Sequence, residues 1–404
     1  MPGMSRLTCH SLAGLRMASV HVVPGPISMS AAVLREQGEV AIEEIMLAPP
    51  ARGEVLVRVA AAGVCHSDLH LIDGNLAGAP SPAVPGHEGA GVVESLGANV
   101  VGIDPGDHVS FCFVPACGEC PMCLTGRSNL CEPGVAVSGA GTMRDGTTRL
   151  RDAVGDPLGQ FLSVACFAEW AVVPAQGVVT IPARLPLWEA ALVGCAVVTG
   201  VGAVRNAAQV AAGDSVCVVG CGGVGLQVIA AAQLAGADPI VAIDVAPEKL
   251  ERAERQGATM VVNGCEERLV GTVKRATDGG VDHAFEVVGT PDTIQLAWRV
   301  TRTGGQTTVV GVVPAGVDVL LQGAGFLAEK SLRGSFYGSG NPAKEIGDLA
   351  RLVADRRFDV AGTVSHRTGL DGLADALERL RQGEGARTLL ILDDELAGVD
   401  SLDV

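Results

Sequence analysis

The chain has 404 residues, 48% of them apolar, with 29 Lys and Arg against 45 Asp and Glu for a net charge of −16. That charge argues against nucleic acid as a partner, because phosphate binding needs clustered cations, and the length and aliphatic composition exclude global disorder and suffice for more than one domain. Aromatics at 3% beside 54 glycines point to an α/β protein of Val/Ala-rich strands and Gly-rich turns, and the single tyrosine, Tyr337, is followed four positions on by Asn341, which rules out a Tyr-x-x-x-Lys catalytic pair.

In chain order, residues 1–28 carry Arg6, Arg16 and several serines but no acid. Their apolar stretch is too short and interrupted for a secretory signal, so a disordered extension is expected and Met29 opens the first strand. Apolar runs such as 214–235 are broken by Gly and polar residues, so no membrane span is predicted, and the protein is expected in the cytoplasm.

Residues 29–196 alternate short Val-rich stretches (EVLVRVAAAGV, AGVVESLG, DHVSFCFV, FAEWAVV) with Gly/Pro turns, the pattern of an antiparallel, barrel-like β domain. Within it GVCHSDLH offers Cys65, His66, Ser67 and His70, VPGHEGAG offers His87 and Glu88, and LVGCAVVTG offers Cys195. A lone buried cysteine is usually a small hydrophobe. Two thiolates and one neutral imidazole together, however, make a three-ligand zinc site with a fourth position open. The run CGECPMCLTGRSNLC sets Cys117, Cys120, Cys123 and Cys131 at spacings that wrap one tetrahedral ion; a closed structural zinc site is favoured over an iron–sulfur or redox reading of the same four thiols.

From 197 to 336 strand-like runs (DSVCVVG, PIVAIDV, ATMVVN, VDHAFEVVG, GGQTTVVGV) alternate with helical ones, which implies right-handed crossovers and a parallel sheet covered on both faces. It opens with a dinucleotide fingerprint: Gly220, Gly222 and Gly225 follow a strand and open a helix, and Asp244 ends the next strand. The glycines allow a tight turn and close approach to a pyrophosphate, and Asp244 would bond the ribose hydroxyls and repel a 2′-phosphate, which favours NAD over NADP. Residues 337–404 add a helix (NPAKEIGDLARLVADRRF), a strand near Thr363, a second helix, the strand TLLILD and an acidic tail from Asp393 expected to fray.

These motifs, together with GTMRDGT and GARTLLIL, resemble the zinc-dependent medium-chain alcohol dehydrogenases over essentially all of residues 29–392. The resemblance implies a GroES-like β-barrel catalytic domain (29–196), a doubly wound Rossmann cofactor domain (197–336) and a return to the catalytic domain (337–404). It implies that Cys65, His87 and Cys195 ligate a catalytic zinc with Glu88 behind them, and that the four-cysteine lobe holds a structural zinc. It implies that Ser67 takes the alcohol proton toward His70, that His66 and Arg387 face the pyrophosphate, that Lys249 stands by the ribose with Asp244, and that Thr199, Gly223, Val224 and Val312 line the NAD. Cys9, Cys112, Cys166, Cys217, Cys221 and Cys265 are left with packing roles. Leu76, Phe113, Phe161 and Leu162 fall where relatives wall the substrate, so the expected substrate is an apolar primary alcohol or aldehyde, aromatic and terpenoid ones included. The glutathione-dependent formaldehyde branch, which places an Arg where this chain has Val135, is the alternative; a non-enzymatic zinc or redox sensor on the same fold is another. Relatives pair sheet edges into dimers or tetramers, and 309–323 is the expected edge.

Overall fold

The computed structural model describes residues 25–76 and 78–398. The expected extension therefore lies almost wholly outside the described residues, and the first strand, Ile27–Glu36, begins two positions before Met29. It pairs antiparallel with Glu39–Leu47, and with Leu150–Arg151, Pro157–Gln160 and Ala83–Val84 closes a small barrel. Met29, Ala31, Val33, Ile45 and Leu47 fill its interior, the alternate positions that a pleated strand sends to one face.

A second sheet runs in the order Val178–Thr180, His108–Phe111, Glu88–Leu96, Glu54–Val64, Arg387–Ile391 and Val364–Thr368, with Trp170–Pro174 also on Glu54–Val64. Its central strand, Glu54–Val64, is buried at ten of eleven positions, which explains its near-continuous apolar sequence. The strand Arg387–Ile391 returns from the far end of the chain to pair antiparallel here, with Thr388 opposite Val64. That pairing brings Arg387 beside Cys65, which no local sequence pattern reveals.

The cofactor unit is a six-stranded, all-parallel sheet. Counting from Val216–Val219, through Ile240–Asp244, Met260–Asn263, Val281–Glu286, Thr301–Val309 and Ser331–Gly334, the spatial order is 3-2-1-4-5-6. The order reverses between the first and fourth strands, and a ligand crevice forms beyond their carboxyl ends at that point. Two expectations are corrected. The edge is not 309–323: its strand stops at Val309, residues 310–323 form no strand, and Ser331–Gly334 is the outermost strand. Nor does fraying begin at Asp393, because Asp393 caps a turn of helix, Asp394–Ala397, whose Ala397 is fully buried; the tail beyond Gly398 lies outside the described residues.

Between the units runs one helical passage, Leu187–Ala208, which is long and apolar enough to cross a membrane by length and composition alone. Its most apolar 18-residue window is 94% buried within the protein, so its hydropathy is that of a core helix. The expected boundary at 196/197 falls inside it. Two π-helical turns, Val193–Val197 and Ala203–Ala208, widen the winding, and Cys195 sits in the first.

Candidate active site

Cys65 ends the strand Glu54–Val64 and caps the short helix His66–Ile72. Asp68, at the third helical position, turns back so that its Oδ2 accepts from the Cys65 backbone N–H at 3.1 Å. Its Oδ1 accepts from the Gly86 backbone N–H at 3.0 Å and faces His87 Nδ1 at 3.1 Å. One buried carboxylate thus fixes two segments and turns the His87 ring so that Nε2 points at Cys195 Sγ, 3.3 Å away. Ligand atoms of Cys65, His87, Cys195 and Glu88 all lie within 4.8 Å of one another, every one of the four residues buried. Two thiols converging on an imidazole whose other nitrogen is held by a carboxylate is the donor set zinc selects, so the residues fit the ion.

The electrostatics follow from this crowding. The hydrogen bond from Cys195 holds the Cys65 thiol well below its ordinary range, while the same contact and burial push Cys195 up. Burial alone would lower His87, but the Asp68 carboxylate outweighs it and raises the imidazole well above its usual value. Burial raises Glu88 to about 7 against the opposing pull of Arg387. Both Glu88 oxygens lack a hydrogen bond, with Arg387 Nη1 at 3.4 Å from Oε2. Expected behind the ligands, Glu88 is close enough to join them.

In the second cluster the Cys117 and Cys123 sulfurs stand 3.9 Å apart, and ligand atoms of all four cysteines lie within 4.8 Å. Cys131 Sγ accepts from the Cys117 backbone N–H at 3.2 Å, and Cys117 Sγ from that of Cys120 at 3.3 Å. Such bonds stabilise thiolates, and backbone donors of Glu119 and Cys120 bring Cys117 down to about 6, whereas burial takes Cys123 up to about 12. With sulfur at every corner this site fits a closed structural ion.

The glycine loop lies at the crevice. Gly220 has φ +99°, and a Cβ on Gly225 would stand 1.9 Å from the Gly220 carbonyl oxygen, so both positions demand glycine. A Cβ on Gly223 would meet Arg387 Nη2 at 2.5 Å, which puts that guanidinium at the start of the helix Gly223–Ala235. Arg387 Nη1 donates to the Val64 carbonyl, but its buried Nε has no partner. A free buried donor at a helix N-terminus, beside open space over Gly222, fits a diphosphate. Asp244 accepts from the backbone N–H groups of Cys221 and Ala246, at 2.8 and 3.0 Å, which aims its carboxylate at the strand end. Lys249 is half-buried on the following helix, Val224 and Thr199 are partly covered, and Val312 is exposed with its backbone against Gly289.

Ser67 Oγ lies 3.9 Å from Cys65 Sγ, and His70 follows on the same face of the same helix without touching Ser67. His66 is exposed, and desolvation followed by the fields of Arg387, His70 and Lys249 depresses it despite the Cys65 thiolate. Phe113 and Phe161 meet the His87 ring edge-on from two sides, at 5.4 and 5.7 Å between centroids. Leu162, at φ +51°, and Leu76 are half-buried. Among the remaining cysteines, Cys112, Cys166, Cys217 and Cys221 are buried as expected, whereas Cys265 is exposed and Cys9 lies outside the described residues.

Sequence reasoning missed two residues. Asp68 could have been found, because an acid three positions after a helix-capping residue reaches back to it. Tyr337 could not: its ring stacks on Phe113 at 3.7 Å and its hydroxyl donates to the Gly194 carbonyl at 2.6 Å, contacts between positions more than 140 residues apart.

Comparison with known proteins agrees with this geometry. Residues 51–183 match the model of the alcohol dehydrogenase GroES-like domain, and residues 223–355 that of the zinc-binding dehydrogenase domain. The chain is 36% identical to S-(hydroxymethyl)glutathione dehydrogenase of Saccharomyces cerevisiae over 93% of its length and 99% of the relative. Among solved structures it resembles an alcohol dehydrogenase zinc-binding domain protein from Burkholderia ambifaria (TM-score 0.86, 35% identity, covering 91% of this chain and 99% of that one). It also resembles benzyl alcohol dehydrogenase from Acinetobacter calcoaceticus (TM-score 0.85, 31% identity, the same coverage).

Proposed function

The chain belongs to the zinc-dependent medium-chain alcohol dehydrogenase family, and from that premise we propose that it oxidises apolar primary alcohols, or reduces the corresponding aldehydes, with NAD. The observation that carries the reading is the convergence of Cys65, His87 and Cys195 around one point, with two phenylalanine rings against the histidine. Zinc held by these three residues supplies the Lewis acidity that lowers the pKa of an alcohol, and NAD supplies the hydride acceptor. The Cys65 and Cys195 thiolates would offset the charge of a divalent ion held there. Ser67 Oγ receives the hydroxyl proton, and His70, partly exposed on the same helix, passes it on to solvent. Phe113, Phe161, Leu162 and Leu76 exclude water and favour an apolar body. Gly220 to Gly225 with Arg387 and His66 hold the diphosphate, Asp244 with Lys249 the ribose, and Thr199 and Val312 the remainder of the cofactor.

Residues 29–196 and 337–392 are proposed to form the catalytic domain and 197–336 the cofactor domain. Every described cysteine is a free thiol, which supports a reducing, cytoplasmic setting, and the exposed apolar residues beyond Val309 support a homodimer or homotetramer. A second reading, oxidation of S-(hydroxymethyl)glutathione, is favoured by the activity of the Saccharomyces relative; against it, the exposed Val135 offers no charge.

The test is zinc content per chain with NADH formation from ethanol, hexanol, benzyl alcohol, geraniol and S-(hydroxymethyl)glutathione. Two zinc ions and faster turnover of the longer or aromatic alcohols are expected. Two ions with turnover of the glutathione adduct alone would transfer the assignment to the second reading.

A further inference from the structure

Where the chain leaves the outer strand of the cofactor sheet, Ser331–Gly334, three consecutive residues have positive φ: Tyr337 at +49°, Gly338 at +77° and Ser339 at +57°. For a bulky side chain such as tyrosine this region is an outlier that persists only where the surroundings over-determine it, and such outliers gather at functional sites. The surroundings here do so. Asn129, which is buried and lies between Cys123 and Cys131 in the lobe, donates from Nδ2 to the Phe336 carbonyl at 2.8 Å and from its backbone N–H to the Gly340 carbonyl at 3.2 Å. Asn206 Nδ2 donates to the Gly338 carbonyl at 2.9 Å. The segment also presses directly on the passage Leu187–Ala208. A Cβ on Gly202 would stand 2.3 Å from the Gly338 carbonyl oxygen, and one on Gly338 would stand 2.4 Å from that of Val198.

This fastening drives the only tyrosine of the chain into the interior, where it is 3% exposed. Its ring lies on Phe113 with the planes 23° from parallel, and Phe113 in turn meets the His87 ring edge-on. The hydroxyl makes two bonds. It accepts from the Phe113 backbone N–H at 3.3 Å and donates to the Gly194 carbonyl at 2.6 Å. Gly194 immediately precedes Cys195 in the π-helical turn Val193–Val197. One side chain therefore grips the aromatic wall by ring and by backbone, and grips the turn that carries a metal ligand. Phenylalanine would fill the same space without the desolvation cost of a buried phenol, so the hydroxyl is accounted for by the bonds it makes, and both of those bonds end in the active site.

We propose that Tyr337 is a positioning residue: its hydroxyl sets the turn bearing Cys195, and its ring holds Phe113 as a wall that discriminates among alcohols by shape. The inference rests on the alcohol dehydrogenase reading and assigns part of its specificity to a residue far along the chain from the metal ligands.

The test uses the zinc-loaded full chain with ethanol, hexanol and benzyl alcohol. Tyr337→Phe keeps the ring, so kcat/KM should fall for all three alcohols by a common factor of roughly five, the equivalent of one hydrogen bond. Tyr337→Leu removes the stack as well, so the benzyl alcohol to ethanol ratio of kcat/KM should drop by a further factor of about three to ten through the KM for benzyl alcohol. Zinc content and melting temperature are measured alongside. A second readout needs no variant. Fluorotyrosine incorporated into the wild type gives a single fluorine resonance, because there is one tyrosine. That resonance should move when benzyl alcohol is added to the enzyme already saturated with NADH, a pair that cannot react, and should move less with ethanol. Wild-type kcat/KM values and ratios in both variants overturn the inference. So does a uniform loss that merely follows lost zinc or lowered melting while the wild-type resonance ignores both alcohols, since that is the behaviour of a packing residue. A wild type that turns over in either event leaves the alcohol dehydrogenase reading standing, whereas a wild type inert toward every alcohol with two zinc ions bound strikes at that reading first.

Discussion

Asp68 stands where two ligand-bearing segments meet, and its three contacts determine whether the metal ligands are assembled before an ion arrives. It bonds the Cys65 and Gly86 backbones and faces His87 Nδ1, all from a side chain with no solvent exposure. An outer carboxylate of this kind fixes the histidine tautomer and raises its basicity, and its loss typically costs 10–100-fold in metal affinity. Asp68→Asn keeps the shape and one acceptor but removes the charge. The expected outcome is zinc retention weakened by about tenfold against a competing chelator, with the lobe zinc unaffected; equal retention by variant and wild type would show that the cysteines alone set the affinity. Asp68 illustrates what could be read in the sequence and what was passed over. The ligands themselves were legible, because cysteine and histidine in tight motifs have few uses. The supporting carboxylate lay in the same GVCHSDLH motif and was missed because an acid near a helix start ordinarily reads as a cap, which it also is.

At the scale of elements, the parallel sheet shows why strands were legible and their fastening was not. Alternating apolar runs and Gly turns placed five of its six strands in sequence; the sixth, Ser331–Gly334, is short and exposed at every position, so it carries no apolar signal. The edge was therefore assigned to the neighbouring apolar run 309–323, which is loop. Fastening by side chains is equally silent. Asp282, in the strand Val281–Glu286, accepts from both the backbone N–H and the hydroxyl of Ser215, at 2.9 and 2.6 Å, and from Arg302 Nε at 2.7 Å. Burial works against the carboxylate, but the Ser215 donors and Arg302 prevail and hold it at about 2, below its ordinary 3.8. A depressed folded-state pKa contributes stability that is present above the unfolded value and is lost as pH falls through the folded one. For Asp282 that window runs from about 4 down to about 2. Asp282→Asn should thus cost about 1–2 kcal/mol near pH 7, after allowance for partial solvent screening. The difference in urea midpoint between wild type and variant should shrink below pH 4 and nearly vanish by pH 2. A difference constant over that range would assign the cost to lost hydrogen bonds instead of charge.

At the scale of the whole molecule, two apolar surfaces have opposite fates. The passage Leu187–Ala208 is apolar enough for a membrane, yet the protein buries nearly all of it, and it supplies Cys195 to the metal cluster from the inside. The segment after Val309 is left bare: Leu320 is 78% and Leu327 91% exposed, with Val317, Phe326 and Leu332 also open to solvent. Leu332 belongs to the strand Ser331–Gly334, which is hydrogen-bonded to Thr301–Val309 on one side only. A free strand edge flanked by exposed leucine and phenylalanine is a liability that proteins remove by pairing it, and a two-fold axis lets the same edge serve both copies. We therefore expect a homo-oligomer joined through 317–334. A probe such as Val310→Asp at the start of this segment is unsuitable: Val310 packs partly buried against the core of its own chain, and a charge there would disturb the fold. Leu320→Asp with Leu327→Asp replaces side chains that touch little within the monomer, so the fold should survive while a shared apolar face acquires like charges across its axis. In sedimentation velocity the double variant should run as a monomer while the wild type runs as a dimer or larger, at equal zinc content and unchanged melting of the isolated chain. Wild type and variant sedimenting alike as oligomers would place the interface elsewhere, and a wild type that is already monomeric would mean that this protein tolerates its open edge.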